Sequence, residues 1–221
     1  AVELFRSDGE DVAAGEILLE ATGNADALHM GWKVSQNIIE WSSGVADYTA
    51  RMVSAGKQIR PNLHVACTRK SIPGTKSLAN AAVVHGGGIL HRGGGSETLL
   101  LFANPRLFAQ NADDFAAHVD RLRQAAPEKK IIVEADSLPE ALTALEACPD
   151  VLQLDKFSPE DLREIVRRAE QGGFGCLVLA AGGVTVDNIT EYAATGVHLV
   201  VTSAPYYAKP ADVRVVMERS R

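Results

Sequence analysis

The sequence predicts an α/β protein built on a parallel sheet that curls towards a barrel. Three observations carry this. From residue 59 onward, short β-rich runs alternate with helical patterns. The last four runs, Lys130–Ala135, Val151–Asp155, Cys176–Ala180 and Leu199–Thr202, recur about every 20–25 residues, the span of one compact strand-plus-helix unit. No G-x-G-x-x-G follows the first strand, so nothing favours a doubly wound open sheet, the structural alternative.

Taken in order, Val2–Phe5 and Ile17–Ala21 are separated by the turn residues Asp8-Gly9-Glu10 and read as an antiparallel pair. The chain opens at Ala1 without a Met and runs straight into this strand pattern, so a preceding segment is expected. Asn24 is a suitable N-cap for a helix over 24–54, with Leu28, Trp32, Ser35, Ile38, Ile39 and Ser42 at helical spacing. Gly44 is predicted to break or bend it, with a second piece over Ala46–Ala55. Leu63–Cys67 and Leu99–Phe102 read as the first two barrel strands. Ser158, Pro159 and Asp161 mark a helix start whose apolar face is Leu162, Ile165, Val166 and Ala169. Thr185, Asn188, Ile189 and Tyr192 begin another.

Composition narrows the function. At 221 residues there is room for one large domain, or one domain and part of another. A net charge of −6 argues against a general nucleic-acid or membrane-surface binder. Cys67, Cys148 and Cys176 form no C-x-x-C pair, which fits a reducing cytoplasm and supports neither a zinc site nor a disulfide framework. No apolar run approaches the ~18 residues of a membrane span, and no signal peptide is visible.

The candidate site residues fall at the C-terminal ends of strands, where α/β barrels place their chemistry. Arg69 and Lys70 follow Leu63–Cys67, in a loop shaped by Ser71, Pro73 and Gly74; together they make an anion clamp, a planar fork beside a point charge. His91 and Arg92 lie between the glycine runs Gly86–Gly88 and Gly93–Gly95, and add a cation and a hydrogen-bonding ring. Glu134 and Asp136 end one strand and by alternation share a face, and Asp155 and Lys156 end the next. If Glu134 faces the barrel interior, two carboxylates from neighbouring strands converge, able to hold Mg²⁺ with a diphosphate or to bind ribose hydroxyls. The bland reading makes them structural ions paired with Lys156 and Lys130. Gly182-Gly183 and Ser203-Ala204 follow the last two strands. Small residues there let backbone amides approach a phosphate, with helix dipoles adding to the attraction.

The ordered set TRKSIPG, HGGGILHR, VEAD, LQLD, AGGV and TSAP resembles the nicotinate-nucleotide pyrophosphorylase, or quinolinate phosphoribosyltransferase, family over nearly the whole chain. WKVSQN, LLLFAN, LQLDKFSP and TSAPYYA are similar to its ModD subgroup, associated with molybdenum transport. The resemblance implies an incomplete α/β barrel over 59–205, the remainder of an α/β sandwich domain over 1–58 whose N-terminal part precedes Ala1, and a closing segment over 206–221. It implies transfer of ribose 5-phosphate from phosphoribosyl pyrophosphate to an anionic, N-heterocyclic acceptor such as quinolinate, with Mg²⁺, in a cytoplasmic homodimer with shared active sites.

Carried over by motif, the resemblance assigns Arg69, Lys70, His91 and Arg92 to the acceptor pocket, with Lys70 also a catalytic candidate. Glu134 and Asp155 would hold the ribose and the Mg–pyrophosphate, and Gly182, Gly183, Ser203 and Ala204 the 5-phosphate. Lys33 falls where the family has an Arg that reaches into the partner subunit. Phe102 stands in place of a family Lys, and Lys156 in place of an Asn. Loss of one charge-assisted hydrogen bond costs about 1.5–3 kcal/mol, roughly ten- to a hundredfold in affinity, so the phosphoribosyl side is kept while the acceptor side is changed, and the acceptor is quinolinate or a relative of it. A non-catalytic phosphate- or oxyanion-binding protein on the same barrel is the alternative.

Overall fold

In the computed structural model, residues 1–94, 97–108, 111 and 114–219 are described. Two short antiparallel strands, β1 (Val2–Leu4) and β2 (Leu19–Ala21), pair Val2 with Ala21 and Leu4 with Leu19, as the alternating runs and the Asp-Gly turn predict. Helix α1 (Ala25–Ile59) follows. Asn24 caps it, its side chain accepting from the Ala27 amide at 2.8 Å.

Gly44 does not break α1. The helix runs unbroken for 35 residues, and the glycine serves a close approach instead. A Cβ there would strike the Lys209 carbonyl oxygen and lie 2.9 Å from Pro210 Cα. The C-terminal segment lies along α1 at this point: the Ala211 amide donates to Glu40 O at 2.9 Å, and Val213 to the Glu40 carboxylate at 3.1 Å. Only an absent side chain lets the two backbones touch. Ser220 and Arg221 of the predicted closing segment lie outside the described residues.

The remaining chain alternates strand and helix: β3 (His64–Cys67), α2 (Lys76–His85), β4 (Ile89–Leu90), β5 (Leu99–Leu101), α3 (Ala103–Arg106), α4 (Phe115–Ala125), β6 (Ile131–Ala135), α5 (Leu138–Glu146), β7 (Val151–Asp155), α6 (Pro159–Gln171), β8 (Leu177–Ala181), α7 (Ile189–Ala193), β9 (Leu199–Thr202) and a 3₁₀ turn, Ala204–Tyr207. The seven strands β3–β9 form one parallel sheet in the order β4-β3-β9-β8-β7-β6-β5. Strand β9 returns to pair with β3, the cyclic order of a barrel, while β4 and β5 stay unpaired with each other. The sheet is therefore a curled, incomplete barrel, and a doubly wound sheet is ruled out by this order. The two-residue β4 was not legible in the sequence; it is short and exposed, as edge strands tend to be.

Strand alternation sorts the core into two layers. Val65, Val133, Leu152, Leu154, Val178 and Val200 face outward against the helices and form the main core. Ala66, Ile132, Val151, Leu179, Ala181 and Val201 face inward and fill the barrel. Helix α6 shows how sequence chooses this. Ser158 caps it, accepting from the Asp161 amide at 3.1 Å, and Leu162, Ile165, Val166 and Ala169 are buried along one stripe. Each buried Leu or Ile contributes about 1.5–3 kcal/mol, so a charge at the fully buried Leu162 or Ile165 would break the packing of this helix.

Candidate active site

Seven parallel strands end along one rim, and the candidate residues follow that rim in sheet order. His91 and Arg92 come after β4, Arg69 and Lys70 after β3, and Ser203 and Ala204 after β9. Gly182 and Gly183 follow β8, Asp155 ends β7, Glu134 lies next to last in β6, and Phe102 follows β5. Lys33 alone is placed elsewhere: it is exposed on α1, its ammonium 4.3 Å above the Trp32 ring and 2.8 Å from Gln36 Oε1.

The carboxylate side is set by register. Glu134 pairs with Gln153, and Asp155 lies two residues further along the same face of β7, so both carboxylates face the interior. The Gln153 side-chain amide donates to Glu134 Oε2. Burial, and then the charge of Asp155, push the Glu134 carboxyl above its ordinary 4.5, opposed by the Gln153 hydrogen bond, Lys70 and Arg92. Asp136 does not share this face. It is exposed past the strand end, and its amide donates to Glu140 Oε2 at 3.0 Å. The expected structural pairing with Lys130 is not made; Lys156 lies 3.8 Å from Asp155, with its own side chain 80% exposed.

The cation side is set by loops. The Thr68 amide donates to Thr202 O at 2.9 Å, and the Lys70 amide to Thr68 Oγ1 at 3.2 Å, which turns the chain after β3 outward. The His91 amide donates to Cys67 O at 2.8 Å and brings the β4 loop alongside. Burial, then the neighbouring Arg69, lower the Arg92 guanidinium, with Glu134 opposing. Burial, then Arg92, lower His91 below its ordinary 6.5, leaving the ring neutral at pH 7. Arg69 and Arg92 thus disfavour the charged form of His91, and Arg69 that of Arg92, a cost that a bound anion relieves. A cavity of about 90 Å³ lies against Arg69, Lys76, Arg92, Ser71 and Asn80. Gly95, the end of the second glycine run, lies outside the described residues.

Arg92 at φ 63° and Lys156 at φ 59° hold the left-handed backbone region that glycine favours. Such strain costs about 1–3 kcal/mol per residue and persists where surroundings over-determine it. Between the two sides, Gly182 and Gly183 have φ of +85° and +79°. A Cβ on Gly182 would lie 2.7 Å from Asp155 Oδ1, so the loop packs on the carboxylate side. Asn188 holds this loop, accepting from the Thr185 amide at 2.8 Å and donating to Gly183 O at 3.0 Å. The helix-dipole argument does not survive. Helix α7 is five residues long and starts beyond Asn188, and the turn after Ser203 is 3₁₀. The Ala204 amide is already committed to Thr202 Oγ1 at 3.0 Å. The amides of Gly182, Gly183 and Ser203 donate to no other described residue and remain available.

Gln153 was missed as a site residue. It is 6% exposed, donates to Glu134, and acts on His91 so as to favour the protonated ring. Neither Gln153 Oε1 nor His91 Nε2 meets a partner at hydrogen-bond geometry among the described residues. The signal was present: a lone amide in the apolar run VLQLD, two residues before Asp155 and so on its face.

Comparison with known proteins identifies the family. The family model for the quinolinate phosphoribosyl transferase C-terminal domain matches residues 45–216, and that for the N-terminal domain matches 1–43. The chain belongs to the quinolinate phosphoribosyltransferase family. It is 49% identical over 212 residues to "Putative pyrophosphorylase ModD" of Escherichia coli O6:H1, covering 96% of this chain and 75% of that protein. It is 31% identical to the "Probable nicotinate-nucleotide pyrophosphorylase (carboxylating)" of Archaeoglobus fulgidus, covering 93% and 79%. The nicotinate-nucleotide pyrophosphorylase structure from Francisella tularensis superposes with a TM-score of 0.86 at 28% identity, covering 96% and 73%.

The two quinolinate phosphoribosyltransferase family models together span the antiparallel pair, α1 and the incomplete barrel. No helix among the described residues is long and apolar enough to cross a membrane.

The donor set also fits the metal that the family implies. Mg²⁺ commonly takes one or two protein carboxylates and completes its shell with water and substrate phosphates. Glu134 and Asp155 are such a pair: the charge of Asp155 raises the cost of ionising Glu134, a cost that a cation between them would offset. Among the described residues no three His, Cys, Asp or Glu side chains group together, so the protein offers this pair and no cage.

Proposed function

We propose that the protein is a Mg²⁺-dependent phosphoribosyltransferase that transfers ribose 5-phosphate from phosphoribosyl pyrophosphate to the nitrogen of an anionic heterocycle, ModD-like and linked to molybdenum transport. One observation carries the reading: cations and carboxylates occupy opposite parts of a single strand-end rim, with the Gly182–Gly183 loop between them. Gly182, Gly183 and Ser203 would bind the 5-phosphate, with Ala204 shaping the loop. Glu134 and Asp155 would hold the ribose hydroxyls and the Mg²⁺, directly or through water. Bound there, Mg²⁺ supplies charge neutralisation for the pyrophosphate.

Arg69, Arg92 and neutral His91 would orient the acceptor, whose nitrogen lone pair forms the new bond to ribose C1 as the C1–oxygen bond to pyrophosphate breaks. Glu134 faces the positive charge that grows on the ribose, and Lys70, close enough to act on Glu134, faces the departing phosphates. Lys156 adds a cation beside Asp155. Lys33, exposed beside Met30 and Val34 on α1, would enter a partner's site in a homodimer.

Phe102 tunes the acceptor. The Leu101–Val133 pair puts Phe102 one step further, beside Glu134 and on the same face, in extended backbone. It offers a ring where a cation would suit a dianion, so the acceptor carries less charge or more aromatic surface than quinolinate. Calorimetry of phosphoribosyl pyrophosphate with Mg²⁺, with and without quinolinate, tests the reading. Metal-dependent binding, lost in Asp155→Ala, supports it. No binding at millimolar ligand favours an oxyanion sensor on the same barrel. Phe102→Lys is expected to tighten quinolinate about ten- to a hundredfold, the worth of one charge-assisted bond.

A further inference from the structure

The three loops that carry the glycine cradle and the β3 cations meet at one buried threonine. Thr202 ends β9 and is 6% exposed. Its hydroxyl donates to Val184 O at 2.6 Å, in the loop after β8, and accepts from the Ala204 amide at 3.0 Å, in the turn after β9. Its carbonyl accepts from the Thr68 amide at 2.9 Å, in the loop after β3. Tyr206, 1% exposed, fastens the same loop from the other side: its hydroxyl donates to Thr68 O at 2.8 Å. Thr68 Oγ1 then accepts from the Lys70 amide. The Thr202 hydroxyl has one proton to give, and gives it to Val184, so its lone pairs are left for Ala204. A valine would fill the space and strand both partners.

We propose that Thr202, seconded by Tyr206, is a positioning residue that makes these loops one rigid unit, so that an anion held at Gly182–Gly183 is felt at Arg69 and Lys70. The proposal rests on reading those loops as two halves of one substrate site. A parallel sheet alone would not enforce it, because each loop leaves a different strand; beyond the strand ends they are tied by the main-chain bond from Thr68 to Thr202 and by these two side chains.

The test uses the full chain and site-resolved amide hydrogen exchange in wild type, Thr202→Val, Thr202→Ser and Tyr206→Phe, free and with phosphoribosyl pyrophosphate plus Mg²⁺. In the free protein, the Ala204 amide should exchange about tenfold faster in Thr202→Val, the equivalent of one lost hydrogen bond, and at the wild-type rate in Thr202→Ser. Tyr206→Phe should speed Lys70 and leave Ala204 unchanged. With ligand, the Lys70 amide should gain protection in wild type and Thr202→Ser but not in Thr202→Val. A packing role alone would lower the melting temperature of Thr202→Val and leave that protection in place, which overturns the proposal. So does unchanged Ala204 exchange in the free Thr202→Val protein. If wild type binds no phosphoribosyl pyrophosphate, the transferase reading fails, and the free-protein rates still decide for or against the tie.

Discussion

The two sides of the rim hold their charges by different means. Glu134 and Asp155 stand on adjacent strands whose register fixes them, with Gln153 bonded beneath Glu134. Arg69, Lys70 and Arg92 stand on loops, placed by single hydrogen bonds from Thr68, Thr202 and Tyr206 and by a left-handed backbone at Arg92. A sheet shares the cost of holding a charge over many ladder bonds. A loop concentrates that cost in a few groups, so its geometry depends on each of them. The carboxylate side should therefore serve the phosphoribosyl end, and the cation side the acceptor.

The largest effect that would break this contrast comes from Glu134→Gln. It keeps the shape and a partner for Gln153 but removes the charge. Metal-dependent binding of phosphoribosyl pyrophosphate should fall about a hundredfold, at the upper end for a charge-assisted contact, with the melting temperature held or raised. An unchanged affinity by calorimetry would show that the carboxylate is only structural. Next comes Arg92→Leu, which should weaken anionic acceptors about ten- to a hundredfold while phosphoribosyl pyrophosphate binding stays within a few-fold. Equal losses for both ligands would erase the distinction between the sides.

The two sides should also differ in how stability responds to pH. Glu134 has its folded pKa raised above 4.5, so the folded state binds the proton more tightly than the unfolded one. Its contribution is therefore largest below 4.5 and is lost as pH rises through the folded value. His91 has its folded pKa lowered below 6.5, so its contribution is present above 6.5 and is lost as pH falls through the folded value. Urea denaturation across this range should show that Glu134→Gln removes a negative slope and His91→Asn a positive one; slopes of the same sign would contradict the burial of one of them. The smallest effect is Lys156→Gly, which relieves a left-handed backbone and should raise stability by up to about 1 kcal/mol.

Much of this was legible in the sequence because it depends on local chemistry. The Ser158 and Asn24 caps, the apolar stripe of α6 and the alternation in VLQLD each declare themselves within a few residues. The sites of Arg69, His91, Glu134 and Gly182 could be placed at strand ends because strands and turns punctuate the chain there. Gly44 was misread for the opposite reason. Nothing near it in sequence shows that residues 209 and 210 will cross α1 at that point, so its glycine looked like a helix breaker. Asp136 was misread because strand periodicity was extended one step too far, past the point where the Asp136 amide turns to Glu140.

By itself, the sequence determined most of the strands, the caps of α1 and α6, and which charges sit at strand ends, since all of these follow from periodicity, capping and turn chemistry over short spans. Only the tertiary structure decided that β9 pairs with β3 and leaves the barrel open between β4 and β5. It also decided that Gln153 bonds Glu134 and that Thr202 ties three loops together. Those are contacts between residues far apart in the chain, and they exist only once the sheet has brought its strand ends to a common rim.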